Sequence, residues 1–194
     1  MKKNLITAVL MTIATTILLG VIYPLVVTAF AQVLFHDKAN GQLIVQNGKV
    51  VGSRIIGQPF TTDPYFHSRP SAAGNGYDAA NSSASNLGPT NHTLIDRVNA
   101  SVAKLKTENP AQPVPIDLVT TSGSGLDPHI TPAAADFQIP RVAKARGTSE
   151  AQLQALIAKY TEGRQLGFLG EPRVNVLELN LDLDAQFPRK TAST

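Results

Sequence analysis

Ser124, Asp127 and His129 stand within one short stretch, Thr121-Ser-Gly-Ser-Gly-Leu-Asp-Pro-His129. A serine, a base and an orienting acid are what a hydrolase needs for nucleophilic catalysis. Triads of this kind are assembled from separate chain segments, because side chains so near on one loop seldom converge. Ser, Gly, Asp and Pro are also what a tight turn requires. The stretch therefore reads first as a structural turn, with a membrane-anchored hydrolase using Ser124 and His129 as the alternative.

Other chemistry is sparser. The histidines are His36, His67, His92 and His129, none paired at the i, i+4 spacing of a helical metal site, so no metal is expected. Gly52 and Gly57 have the first spacing of a phosphate loop, but Gln58-Pro59 follows where Lys-Ser/Thr is needed to reach phosphate. No dinucleotide fingerprint is present. The lack of cysteine excludes disulfides, thiolate catalysis and Cys-based zinc sites. His67 and Arg69, beside Tyr65 and Phe66, offer cations and rings to an anion or a partner; an exposed loop with an aromatic anchor is the plainer reading. Asp182 and Asp184 fall on one face of an expected strand and read as a solvated edge. The formal charge is +3, with Lys2 and Lys3 among the basic residues, and no basic cluster is dense enough to grip nucleic acid.

The elements that must position these residues follow from periodicity. Leu43 to Ile56 reads as a β-hairpin turning at Asn47-Gly48. Gln58 to Asn91 is rich in Gly, Ser, Asn, Pro and Ala, and Thr61 to Asn91 reads as mostly irregular chain, too long for an idle connection. Tyr65, Phe66, Tyr77 and Leu87 give it groups to pack with, so an ordered contact surface is expected, with Tyr65, Phe66, His67, Arg69 and Asn86 as the candidate partner-facing residues. Thr90 to Lys106 looks helical, with Leu94, Ile95, Val98, Val102 and Leu105 on one face, Asn91 as cap and Asn109-Pro110 as stop. Val114 to Val119 is a short strand candidate. A helix from Thr131 to Gly147 carries Pro140, which should bend or divide it. Ser149 and Gln152 match a capping box for the next helix, which Gly163 closes. Val174 to Leu183 alternates apolar and polar with one slip in phase, which predicts a final strand with a β-bulge near Val176–Leu177. Strands and helices mix without a βαβ rhythm, so the fold class is α+β.

Leu5 to Phe35 contains no charged residue, ample for the ~20 apolar residues of a spanning helix. Lys2 and Lys3 precede it, whereas Asp37 and Lys38 follow. This asymmetry predicts a cytoplasmic stub over 1–4, a transmembrane helix over 5–30, and one extracytoplasmic, periplasmic domain over 31–194. A signal peptide cleaved at Ala29-Phe30-Ala31, releasing a secreted binding protein, is the rival; its apolar region would be twice the usual ~7–15 residues. Ala8, Thr12, Thr16 and Gly20 recur at every fourth position, and such a stripe of small residues lets a partner helix approach closely. Pro24 could kink the helix near its outer end.

Several stretches in order are similar to the C subunit (KdpC) family of the bacterial Kdp potassium-transporting P-type ATPase. They are the charged stub with its single span, Gly57-Gln58-Pro59-Phe60, Tyr65-Phe66-His67-Ser68-Arg69-Pro70-Ser71, Ser85-Asn86-Leu87-Gly88-Pro89-Thr90-Asn91, Asp117-Leu118-Val119-Thr120 through Ile130, Arg141-Val142-Ala143-Lys144-Ala145-Arg146-Gly147 and Gly170-Glu171-Pro172-Arg173-Val174-Asn175-Val176-Leu177. Ala84 stands where the pattern leads one to expect glycine. The resemblance implies a non-catalytic accessory subunit of an inner-membrane potassium importer. Its partners would be a multi-span, channel-like subunit and an ATP-hydrolysing P-type subunit. The residues agree, since one helix cannot supply the pore loops of a potassium filter and no Asp-Lys-Thr-Gly-Thr motif is present. The resemblance also implies a catalytic chaperone that raises the pump's affinity for ATP. The lysine asymmetry instead puts the domain on the side away from ATP, so no cofactor of its own is expected, and ATP enters only through the complex. The expectation is a module that assembles the complex and covers the external potassium entrance with its 61–91 loop.

Overall fold

The computed structural model describes residues 1–188; the expected 31–194 domain thus has its last six residues outside the described ones. The chain divides into two compact units, Met1–Val51 and Gly52–Thr194.

The first unit is dominated by helix α1, Lys2–Leu34, 33 residues and long and apolar enough to cross a membrane. At 1.5 Å per residue it is about 50 Å long, against a hydrocarbon core of ~30 Å. Pro24 does not break it. The turn before the proline widens to a π-helix over Thr16–Ile22, in which Tyr23 N–H reaches back five residues to Leu18. In an α-turn the proline ring would collide with the carbonyl four residues earlier; the wider turn moves that carbonyl away. Thr12 Oγ1 donates to Ala8 O at 2.9 Å and Thr7 Oγ1 to Lys3 O at 3.0 Å, so these hydroxyls are satisfied within their own helix. A short helical turn α2, His36–Ala39, follows, then β1, Leu43–Gln46, and β2, Lys49–Ser53. They pair around Asn47 and Gly48, both at positive φ (51° and 74°), as the sequence predicts.

The second unit is built on α3 His92–Glu108, α4 Pro132–Arg146, α5 Glu150–Tyr160 and α6 Val176–Gln186, with the strands β3 His129–Ile130, β4 Thr161–Glu162 and β5 Arg173–Asn175. The strands form an antiparallel sheet in the order β3-β5-β4, with Ile130 and Thr161 both opposite Val174. Phe66, Phe137, Val142, Leu153, Leu156, Ile157, Val174, Leu179 and Leu183 fill one core. Caps place the helices where expected. Asn91 accepts from Thr93 N–H, Thr131 from Ala134 N–H, and Ser149 with Gln152 forms the full capping box. Gly147, at φ 68°, ends α4 in a left-handed cap. α4 runs through Pro140 undivided. α5 stops at Tyr160, and β4 occupies the residues before Gly163. No residue of α3 is fully buried, and Ile95 of its apolar stripe stays exposed.

Two expected strands are corrected. Val114–Val119 is instead a 3-10 turn over Ile116–Leu118, framed by Pro115. Buried Asp117 accepts the Thr131 N–H at 2.8 Å there, and Ile116 is left 71 % exposed. The expected strand over Val174–Leu183 is strand only to Asn175 and helix from Val176. The slip in phase marks that switch, not a bulge. Asn175 caps the helix by accepting Glu178 N–H at 3.1 Å. Val176, Leu177, Leu179, Asn180 and Leu183 are then buried at helical spacing. Asp182 and Asp184 accordingly do not share a strand face: Asp182 pairs with Lys159 at 2.7 Å and Asp184 with Arg146 at 2.7 Å.

Candidate contact surface of the 58–91 segment

No helix or strand lies between Ser53 and His92, yet the chain there is tied down at many points. Phe66 is fully buried in the core. Its backbone N–H donates to Asn180 Oδ1 and its carbonyl accepts from Asn180 Nδ2, both at 2.9 Å. The next residue repeats the device: His67 N–H donates to Gln138 Oε1 at 2.7 Å, and Gln138 Nε2 returns a bond to His67 O at 3.2 Å. Each amide side chain thus presents one donor and one acceptor, as a neighbouring strand would. Asn180 and Gln138 are themselves buried, so these bonds satisfy backbone groups that water cannot reach.

Arginines of α4 hold the preceding residues. Arg141 Nη1 donates to the carbonyls of Asp63 and Tyr65, at 2.6 and 3.0 Å. Arg146 has a fully buried side chain and donates to Pro64 O at 2.8 Å. Its guanidinium lies 4.8 Å from the Tyr65 ring centroid, and the Tyr65 hydroxyl donates to Asp184 Oδ2 at 2.8 Å. Arg69 donates to Thr120 O and faces Asp127 at 3.4 Å. Tyr77 donates from its hydroxyl to Arg69 O, and burial raises its pKa above the usual phenol value.

The 121–129 loop packs beneath this segment. Gly57 N–H donates to Leu126 O at 2.7 Å, Ser83 N–H to Ser124 O at 3.0 Å, and Ser71 Oγ to Gly125 O at 2.6 Å. A Cβ at Gly125 would stand 2.5 Å from Ser83 O and 2.7 Å from Ala73 N, so only glycine allows the two loops to meet. Ser124 Oγ accepts Leu126 N–H at 3.1 Å, a turn bond. His129 Nδ1 faces Asp127 at 3.5 Å, and no hydrogen bond joins Ser124 to His129 among the described residues. Burial pushes the Asp127 pKa up, but hydrogen bonds from His129 and the charge of Arg69 outweigh it, and the carboxyl is held below its ordinary value. The geometry is that of a braced turn.

Among the expected partner-facing residues, Phe66 is therefore committed to the core. Tyr65, His67 and Arg69 are half-buried, and Asn86 is exposed at φ 51°. His67, Arg69, Phe60, Tyr77, Lys104 and Gln138 line an open cavity of about 280 Å³. Burial and the nearby Arg141 charge lower the His67 pKa below 6.5, and its Nε2 lies 3.1 Å from Thr62 O. No three His, Asp or Glu side chains gather to hold a metal among the described residues. The sequence does not announce Asn180, Gln138, Arg141 and Arg146 as the groups that order the segment. The polar Asn180 between Leu179 and Leu181 is the available signal, since on a helix it falls on the buried face. The stripe residues Ala8, Thr12, Thr16 and Gly20 lie on α1 in the other unit, all exposed.

Residues 5–185 match the family model of the K+-transporting ATPase, c chain. The chain is 66 % identical over 191 residues to a Potassium-transporting ATPase KdpC subunit from Koribacter versatilis, covering 98 % of this chain and 99 % of that one. It is 56 % identical to proteins of the same name from Rhodopseudomonas palustris (95 % of this chain, 99 % of the relative) and Rhodospirillum rubrum (97 % and 98 %). With the match running through both units, the chain belongs to the KdpC family, the c-chain subunits of the K+-transporting ATPase.

Proposed function

We propose that the chain is a single-pass subunit that holds the potassium pump together from the outer face of the bacterial inner membrane. One observation carries this reading: the 33-residue apolar helix has no buried residue within its own chain. Its surface requires lipid or other helices around it. Lys2 and Lys3 favour a cytoplasmic N-terminus, which sends the folded unit to the outside. The face bearing Ala8, Thr12, Thr16 and Gly20 docks on a multi-span, channel-like subunit. Beyond the helix's own backbone, a Cβ placed at Gly20 would meet Thr16 Cγ2 at 3.8 Å, an ordinary contact, so that face is open to a neighbour. Outside, Asn86 and the accessible edges of Tyr65, His67 and Arg69 contribute to a surface that covers the potassium entrance. Any gain in ATP affinity reaches the ATP-hydrolysing subunit through the assembly, since this chain carries no phosphate-loop motif.

Purification of the tagged chain in detergent, co-expressed with the other pump subunits, tests the reading. They should co-purify with it; recovery of a lone chain overturns it. Gly20→Leu should lower their recovery, and unchanged assembly would remove that face from the contact.

A further inference from the structure

Between β4 and β5 the chain leaves the body of the second unit and returns, and every residue from 163 to 171 is exposed. The excursion ends in a tight turn. Phe168 N–H donates to Gln165 O at 3.2 Å, and Gln165 and Leu169 exchange two backbone bonds of 2.9 Å. Leu166 and Gly167 are its central residues, with φ of 53° and 81°. A turn with positive φ at both centres favours Asn, Asp or Gly at the first of them. A leucine Cβ crowds the neighbouring carbonyl in that conformation. Leu166 recovers nothing from its own fold, being 82 % exposed, and Phe168 and Leu169 beside it are 69 % and 48 % exposed. A strained backbone that carries an apolar side chain into solvent points to a contact beyond the chain.

The stem indicates which contact. Arg173 stands opposite Glu162 across the ladder and pairs with it at 2.8 Å, and Arg164 pairs with Glu171 at 2.7 Å. Such exposed pairs add little stability, but they leave the collar of the projection without net charge. Amphipathic helices that lie in the lipid interface are rich in Lys and Arg on their polar face, whereas both arginines of this collar are paired with glutamates. The hydrogen-bonded turn also fixes where the three side chains leave the backbone, which suits a shaped pocket better than a fluid bilayer.

We propose that Leu166, Phe168 and Leu169 form an apolar knob that seats in an uncharged hydrophobic pocket on another subunit of the same pump. The inference rests on the assembly reading above. The test uses the tagged full-length chain, co-expressed with the other pump subunits and purified in detergent. Leu166→Gly removes the side chain together with its strain, and Phe168→Ser shortens the knob where the backbone is unstrained. Each should cut recovery of the partner subunits about tenfold or more, as loss of an interface anchor does, while the Tm of the purified chain stays level or, for Leu166→Gly, rises. Partner recovery equal to that of the unmodified chain with both variants overturns the proposal. A second measurement excludes lipid: the chain has no tryptophan, so Phe168→Trp is a single reporter in proteoliposomes of the chain alone. Fluorescence unaffected by brominated phospholipid supports the knob, and strong quenching overturns it. If the unmodified chain recovers no subunits, the assembly reading fails and takes the knob with it.

Discussion

Asn180 and Gln138 each stand in for the edge of a strand, bonding both backbone groups of a residue in the irregular segment. Asn180→Ala leaves the buried Phe66 N–H and carbonyl without partners. A loss of about 2–4 kcal/mol is expected, because an unsatisfied buried group costs its full desolvation penalty; urea unfolding of the purified chain measures it. Ser124→Ala removes the turn bond from Leu126 N–H and a longer, 3.4 Å bond with the Ser122 hydroxyl. It should reduce stability by about 1 kcal/mol and leave potassium-dependent growth intact, whereas a working triad would lose all activity. His67 makes a pH prediction. Its folded pKa lies below 6.5 because of burial first and the Arg141 charge second. The unfolded chain therefore takes up a proton more readily, so stability is full above pH 6.5 and declines as pH falls below it. His67→Gln should flatten the dependence of Tm on pH between 7.5 and about 5.5.

At the level of elements, the ends governed by local bonds are legible in the sequence: the Asn47-Gly48 turn, the Ser149–Gln152 box, the cap at Asn91 and the helix start at Thr131. The element after Asn175 is not. Leucines at 177, 179, 181 and 183 satisfy a period of two, while leucine itself favours helix. What decides is the Asn175 cap and the packing of Leu179 and Leu183 into the core, a long-range condition. The order of the irregular 58–91 segment is likewise legible in its length and its Tyr-Phe pair, but its amide partners lie 71 and 114 residues away in sequence. Asn175→Ala should cost about 1 kcal/mol for the lost cap, with a further loss because Asn175 Nδ2 also donates to Arg54 O at 2.8 Å; denaturant midpoints read the sum. In α1, Pro24→Ala should let the π-turn relax to α, rotating the face with Ala8 and Thr12 by about 100° relative to the residues beyond it. Recovery of partner subunits should fall even though no stripe residue is changed.

For the whole molecule, an apolar rod and a folded α+β unit divide the labour of an accessory subunit that is not itself catalytic. Protease added to intact spheroplasts should digest residues beyond Phe35, protease confined to the cytoplasmic side should not, and the mass of the purified chain should include Met1. The opposite protection pattern would invert the proposed topology. The Asn180 clamp also orders events in time. Phe66 finds its partner 114 residues downstream, so a chain made N-terminus first must carry the 58–91 segment unfinished until helix α6 is available to it. Any copy that lacks Asn180 in place bears a loose, protease-sensitive stretch over 58–91, and only a molecule with α6 folded presents that segment in its finished form.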